Sequence, residues 1–331
     1  VSDARHGVEP RAVIEVLRER AARAAAGDRA PDGHKVGLVV EGGGLRGVTT
    51  GGGLVALERL GYTGLFDEVY GTSAGAMNAA YFLAGQARFG IRIYYEDMVR
   101  GEIVNPLRLW KVFDIDRLFA KVITGRKPLR LEAVLTSPSR LRVALLDAAT
   151  GRGVLADSRA LGGADDLLTV LKAATAIPVY YNQRFDISGR ACLDAGIVNP
   201  FPLEGAFADG CTHVLVLLSR PERYRLRPVT MFSRWFFDRL CARGNEALAQ
   251  AYARWHEVDA RLRDLAFGRA ATPAGVRIAT ICTDPDERVD HLTTNAARLR
   301  LAAIRFGRRT LRLFDAETEE HAHESALAPA A

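Results

Sequence analysis

The chain has 331 residues, a net charge of +6, 48% hydrophobic residues and 25% charged residues. These proportions exclude extensive intrinsic disorder, four scattered cysteines exclude a disulfide scaffold, and the lack of any Cys-x-x-Cys pair argues against a structural zinc site. No run reaches the ~18 apolar residues of a membrane span, and residues 1–11 lack the apolar core of a signal peptide, so a cytoplasmic protein is expected.

Residues 11–26 carry Val13, Ile14, Leu17 and Ala21 at helical spacing. After a turn-rich break at 27–33, the run 35–41 is short, apolar and β-branched, as suits a central parallel strand. Glycines at 42–47 end it, and 54–60 reads as a helix. A second strand is expected at 65–70, entering Gly71-Thr72-Ser73-Ala74-Gly75, with a small-residue helix at 76–84. Residues 86–130 mix aromatics (Tyr94, Tyr95, Trp110, Phe113, Phe119) with arginines and lysines. A strand at 140–146 leads through Gly151-Arg152-Gly153 into a hairpin with Val154 and Leu155. A helix at 165–176 stops before Pro178, and short strands are expected at 191–194 and 214–218. The pattern from 232 to 267 is helical and arginine-rich, 276–282 is a last strand, and 286–314 is expected to be helical. The tail 315–331 is acidic, then rich in Ala and Pro, and is expected to fray. Strands alternating with helices predict an α/β architecture around a mainly parallel sheet.

Three constellations carry chemistry. Glu41 is followed by Gly42-Gly43-Gly44-Leu45-Arg46-Gly47, directly after a buried strand. Glycine there permits positive φ and close approach, so consecutive N–H groups can converge on a phosphate or an oxyanion. The pattern is neither a Walker A loop nor a dinucleotide fingerprint. The second is Gly71-Thr72-Ser73-Ala74-Gly75 between a strand and a helix. A sharp turn at that place presents the Ser73 hydroxyl, Gly71 and Gly75 avoid clashes, and the helix N-terminus adds partial positive charge. The third is Asp194-Ala195-Gly196, 121 positions beyond Ser73. A serine nucleophile needs a base. None of His6, His34, His213, His256, His291, His321 and His323 follows a strand in a glycine-marked loop late in the chain. Asp194 is the better candidate, with an ordinary turn aspartate as the alternative.

In this order the three motifs resemble those of the patatin-like phospholipases. The segment Ala173-Ala174-Thr175-Ala176-Ile177-Pro178 also resembles the family's Ala-Ser-x-Ala-x-Pro stretch, with threonine where serine is commoner. The resemblance covers about 36–219. It implies a three-layer α/β/α fold with a mainly parallel central sheet and a C-terminal helical extension. The expected parts are an N-terminal helical segment (1–33), a catalytic domain (34–220), a basic, mainly helical extension (221–314) and the tail. It further implies a serine acyl hydrolase of lipid carboxylic esters, phospholipase A-like or lysophospholipase-like, with no metal and no cofactor. Ser73 would be the nucleophile and Asp194 the proton acceptor. Gly42, Gly43, Gly44, Arg46 and Gly47 would form the oxyanion hole, and Gly71 and Gly75 would flank the nucleophile. An acyltransferase or thioesterase on the same site, and a lipid-binding protein without turnover, are the alternatives.

Beside that resemblance, residues 86–130 read either as a lid meeting acyl chains and headgroup phosphate or as a helical cap with solvated charges. Between Arg220 and Arg312 lie 19 arginines and 10 acidic residues. That excess fits either an anionic lipid surface or solvated helix faces with i,i+4 ion pairs. A lipid or other acyl-ester substrate and peripheral contact with an anionic membrane are thus the expected partners. No nucleic-acid-binding module is present in the sequence pattern.

Overall fold

The computed structural model describes residues 6–28, 30–105, 108, 111–181, 183–315, 323, 324 and 327. Its centre is an eight-stranded sheet of β1 (Val36–Val40), β2 (Glu68–Thr72), β3 (Arg140–Asp147), β4 (Arg152–Asp157), β5 (Phe185–Ile187), β6 (Arg190–Asp194), β7 (His213–Leu218) and β8 (Arg277–Cys282). The order is β5-β6-β3-β2-β1-β7-β8, and β4 pairs with β3 outside that path. The strands β3, β2, β1, β7 and β8 run parallel, whereas β4 and β6 pair with β3, and β5 with β6, antiparallel.

Helices cover both faces. The period-2 alternation of strand side chains divides the core. Val36, Leu38, Val40, Leu215 and Leu217 face one layer, while Val39, Val214, Val216 and Leu218 face the other. The first layer receives α1 (Pro10–Ala25), α2 (Val48–Arg59), α3 (Ala74–Leu83) and α4 (Ala164–Ala174). The second receives α5 (Leu203–Ala208) through Leu203 and Ala206. The segment 221–314 contributes to the same layers. It comprises α6 (Met231–Phe237), α7 (Glu246–Ala253), α8 (Trp255–Ala266), strand β8 at the sheet edge, and α9 (Ala296–Leu313). Leu262 and Ala266 of α8 join the second core, and Leu299, Ala302, Ala303 and Phe306 of α9 join the first. No helix among the described residues is long and apolar enough to cross a membrane.

The structure shifts several predicted elements. Helix α2 begins at Val48 rather than 54, and carries Gly51, Gly52 and Gly53 within it. Those glycines bring α9 close: a Cβ on Gly52 would lie 2.2 Å from Ala303 O. Strand β2 covers 68–72, not 65–70, because a turn with Leu65 N donating to Tyr62 O (3.2 Å) precedes it. Residues 286–295 are not helical. There Asp290 accepts from Leu292 N at 2.8 Å in a turn, and α9 starts only where Asn295 caps it by accepting from Arg298 N at 2.9 Å. Helix α5, after Pro202, was not predicted. The tail at 315–331 and Trp110 fall largely or wholly outside the described residues.

Candidate active site

Strand β2 delivers Ser73 to the top of the sheet, and α3 begins immediately after it. Ser73 has φ 55° and ψ −130°, a strained backbone for a residue with a Cβ. The strain holds because the flanking chain leaves no alternative. A Cβ on Gly75 would lie 2.4 Å from Val40 O, and one on Gly42 would lie 2.4 Å from Thr72 O. The strand end, the glycine loop and the first turn of α3 therefore pack backbone against backbone. Only residues without side chains fit at those two positions.

The loop after β1 turns sharply at Gly43, φ 140°, and Gly44, φ 58°. Among the described residues the amides of Gly42, Gly43 and Gly44 donate to no acceptor. Ala74 and Gly75, at the start of α3, likewise have no intrahelical acceptor for their N–H groups. The site thus collects free backbone donors and the positive end of a helix dipole around the Ser73 side chain.

Asp194 ends β6 and is buried. Its Oδ1 accepts from Gly196 N at 2.7 Å, and its Oδ2 has no hydrogen-bond partner. Burial pushes the carboxyl up to about 6, against the Ser73 hydroxyl and the Gly196 amide, which favour the charged form. A carboxylate so desolvated is a stronger base than one in water, and it sits within reach of the serine hydroxyl's influence.

The loop is anchored from behind by a buried polar network that the sequence did not reveal. Glu41 Oε2 accepts from Ser219 N (2.5 Å), and the Ser219 hydroxyl lies 3.0 Å from the same oxygen and 2.9 Å from Gly42 O. Arg263 of α8 donates to Glu41 Oε1 at 2.7 Å and to Asp259 Oδ2 at 3.0 Å. Arg46 folds across Gly43 and donates through Nε to Ser219 Oγ at 3.1 Å. Burial, reinforced by the neighbouring Arg220, pushes the Arg46 guanidinium down to about 10, still charged at neutral pH. Gly47 supports the start of α2, where its carbonyl accepts from Asn78 Nδ2 at 2.8 Å.

His291, set aside in the sequence, lies under the loop. Its carbonyl accepts from Leu45 N at 3.2 Å, and its ring Nε2 is 3.2 Å from the Tyr180 hydroxyl. Burial pushes its imidazole down, as does Arg46. Nothing short of the folded loop would have signalled this, because His291 lies 95 positions beyond Gly196, the nearest motif residue.

Beside Ser73 opens a narrow apolar cavity of ≈ 50 Å³, walled by Met77, Tyr94, Met98, Phe113, Leu118 and Ile177 among others. Half of this wall comes from the 86–130 segment, folded into short helical turns. Several charges of that segment form ion pairs: Asp97 holds Lys127 at 2.5 Å and Arg126 at 3.0 Å. Thr175 also borders the cavity. No cluster of three or more His, Cys, Asp or Glu among the described residues could hold a metal ion.

Residues 38–207 match the patatin-like phospholipase family. An uncharacterized Escherichia coli protein, YjjU, is 27% identical over 209 residues, which cover 62% of this chain and 58% of that protein. The chain thus spans somewhat under two thirds of that relative's length. Among solved structures, VipD from Legionella pneumophila aligns over 87% of this chain and 68% of its own, with 13% identity and a TM-score of 0.44. Human GIVD cytosolic phospholipase A2, in complex with methyl gamma-linolenyl fluorophosphonate, aligns over 96% and 63%, with 15% identity and a TM-score of 0.46.

Proposed function

Because the chain belongs to the patatin-like phospholipase family, we propose that it is a serine acyl hydrolase of lipid carboxylic esters, working through Ser73 and Asp194. In the first step Ser73 Oγ attacks the ester carbonyl and Asp194 accepts the hydroxyl proton. Negative charge develops on the carbonyl oxygen. The free amides of Gly42, Gly43 and Gly44 and the start of α3 receive it, each such donor being worth about 2.7–4 kcal/mol of transition-state stabilisation. Collapse expels the alcohol, which takes the proton back from Asp194. Water, deprotonated by the same carboxylate, then attacks the acyl-serine; as the acid leaves, Asp194 returns the proton to Ser73 Oγ. Arg46 and Gly47 hold the loop's shape and its charge rather than touching the carbonyl. The narrow apolar cavity suits one linear acyl chain in preference to a bulky group.

One observation carries this reading: a strained serine at φ 55° whose hydroxyl acts on a buried carboxyl with an unpartnered Oδ2. Such a pairing is costly for the fold and useful for proton transfer. Purified protein should hydrolyse a soluble p-nitrophenyl ester and react covalently with a fluorophosphonate probe. Ser73→Ala should abolish both, and Asp194→Asn should abolish turnover. Full turnover in Ser73→Ala would overturn the proposal.

A further inference from the structure

Helix α6 is built unlike the rest of the surface. Met231, Phe232 and Trp235 are 91%, 73% and 61% exposed, and Phe236 is also exposed. Positions 231, 232, 235 and 236 form one face of the helix at i, i+1, i+4 and i+5. The other face is fixed: Phe237 is buried and stacks on Tyr252 at 4.1 Å between ring centroids with 5° between planes. Thr230 caps the helix by accepting from Ser233 N at 3.1 Å. The exposed rings touch one another, Phe232 lying 6.2 Å from Trp235 and 6.5 Å from Phe236. An ordered helix thus holds a contiguous apolar patch in water, which a folded surface does not maintain without a use for it.

The rim of the patch is cationic. Residues 220–243 contain seven arginines against Glu222 and Asp238. Glu222 is occupied by Arg269 at 3.3 Å, and Arg225 by Asp264 at 3.2 Å. Arg223, Arg227, Arg234, Arg239 and Arg243 are exposed and have no carboxylate partner among the described residues. Aromatics that can enter the headgroup–acyl boundary, ringed by guanidinium groups that can meet phosphates, are the chemistry of an anionic bilayer surface. A second copy of the chain fits poorly, because a symmetric pairing through this face would bring the two arginine rims together.

We propose that α6 is a docking element that inserts Phe232, Trp235 and their apolar neighbours into an anionic lipid surface, with the surrounding arginines held to its phosphates. The same turn leads toward the catalytic strand. Leu240, Cys241, Ala242 and Arg243 wall a second cavity of ≈ 450 Å³ that also meets Leu193, the neighbour of Asp194. Docking through α6 therefore brings the bilayer to the side of the molecule where β6 ends. It deepens the hydrolase reading by naming the surface from which substrate comes, but binding and turnover are separate measurements.

The test is flotation with vesicles of phosphatidylcholine alone and of equal parts phosphatidylcholine and phosphatidylglycerol. The wild-type protein should float with the anionic vesicles, and binding should weaken as salt is raised. The variant Phe232→Ser/Trp235→Ser should bind at least about tenfold more weakly, and Arg234→Glu/Arg239→Glu should lose the preference for the anionic vesicles. Both variants should keep wild-type turnover of the soluble ester, which reports on Ser73 and not on docking. No binding to anionic vesicles at low salt, or unchanged binding in Phe232→Ser/Trp235→Ser, would overturn the proposal. A concentration-dependent dimer that disappears in that variant would likewise overturn it.

Discussion

Glu41 and Arg263 lie 222 positions apart in the chain and meet at 2.7 Å, fully inside the protein, behind the glycine loop. The pair ties α8, a helix far along the sequence, to the residue that opens the glycine loop. Glu41 in turn holds Ser219, whose hydroxyl sits against Gly42 O. Removing the cation leaves two carboxylates buried together, since Asp259 also rests on Arg263. Breaking one side of a buried pair costs about 3–5 kcal/mol. Arg263→Met should lower unfolding stability by that order in urea titrations. Whatever folded protein remains should turn over the soluble ester more slowly, because Gly42 loses its rear support. A stability change below about 1 kcal/mol would show that the pair is not what fixes the loop.

The tight junction between the glycine loop and the turn at Ser73 makes a second prediction. At Gly75 a Cβ would lie 2.4 Å from Val40 O and 2.9 Å from Glu41 O, both backbone atoms that cannot rotate away. Gly75→Ala must push α3 away from the glycine loop and displace Ser73 from its free amides. The expected cost is about 1–3 kcal/mol for overpacking, with turnover falling much further than stability, because about 1 Å of misplacement at a reacting centre can cost about a hundredfold in rate. Thermal melts and ester kinetics on the same preparation would check the split. Equal, small losses in both would mean that the loop yields without moving Ser73.

The contrast between these two sites shows what a sequence can carry. The candidate site was legible because its parts are local. Strand, glycine turn and helix follow one another at Ser73, and Asp194 follows its own short strand. The α2 helix was read too short because Gly51–Gly53 resemble loop residues. Their purpose is visible only against Ala303 of α9, which they allow to approach. The hairpin partner β4 was legible from its glycine turn, whereas the place of β6 beside β3 was not, since about forty residues of chain intervene between those two strands. Arg263 carries no local signal at all: an arginine in an arginine-rich helix reads as a solvated charge until Glu41 is found against it.

Activity should depend on pH through Asp194. Burial pushes its carboxyl up to about 6. In the proposed mechanism Asp194 must be ionised to take the Ser73 proton, so kcat/KM for the soluble ester should be flat above that value. It should fall about tenfold for each pH unit below it, as expected for one essential base in the free enzyme. A pH–rate profile checks this directly. An acid limb centred near pH 4 would mean that the base is a solvated carboxylate and not the desolvated Asp194.

The same burial makes Asp194 a burden on the fold. In the unfolded chain the carboxyl titrates near its ordinary value of 3.8, whereas in the folded protein it titrates near 6. The unfolded state therefore gives up its proton first as pH rises, and ionisation favours unfolding. Wild-type stability should be greatest below about pH 4 as far as this group is concerned, fall between about pH 4 and 6, and stay reduced above that. At 1.36 kcal/mol for each pH unit separating the two states, the penalty at neutral pH is about 3 kcal/mol. Asp194→Asn keeps an oxygen for the Gly196 amide and removes the ionisation. The inactive variant should be more stable than wild type at pH 8, by up to about 3 kcal/mol in urea unfolding, and the gain should shrink toward zero at pH 4. A variant less stable than wild type at pH 8 would mean that the folded protein stabilises the Asp194 carboxylate, and a carboxylate held in that way is a poor acceptor for the Ser73 proton.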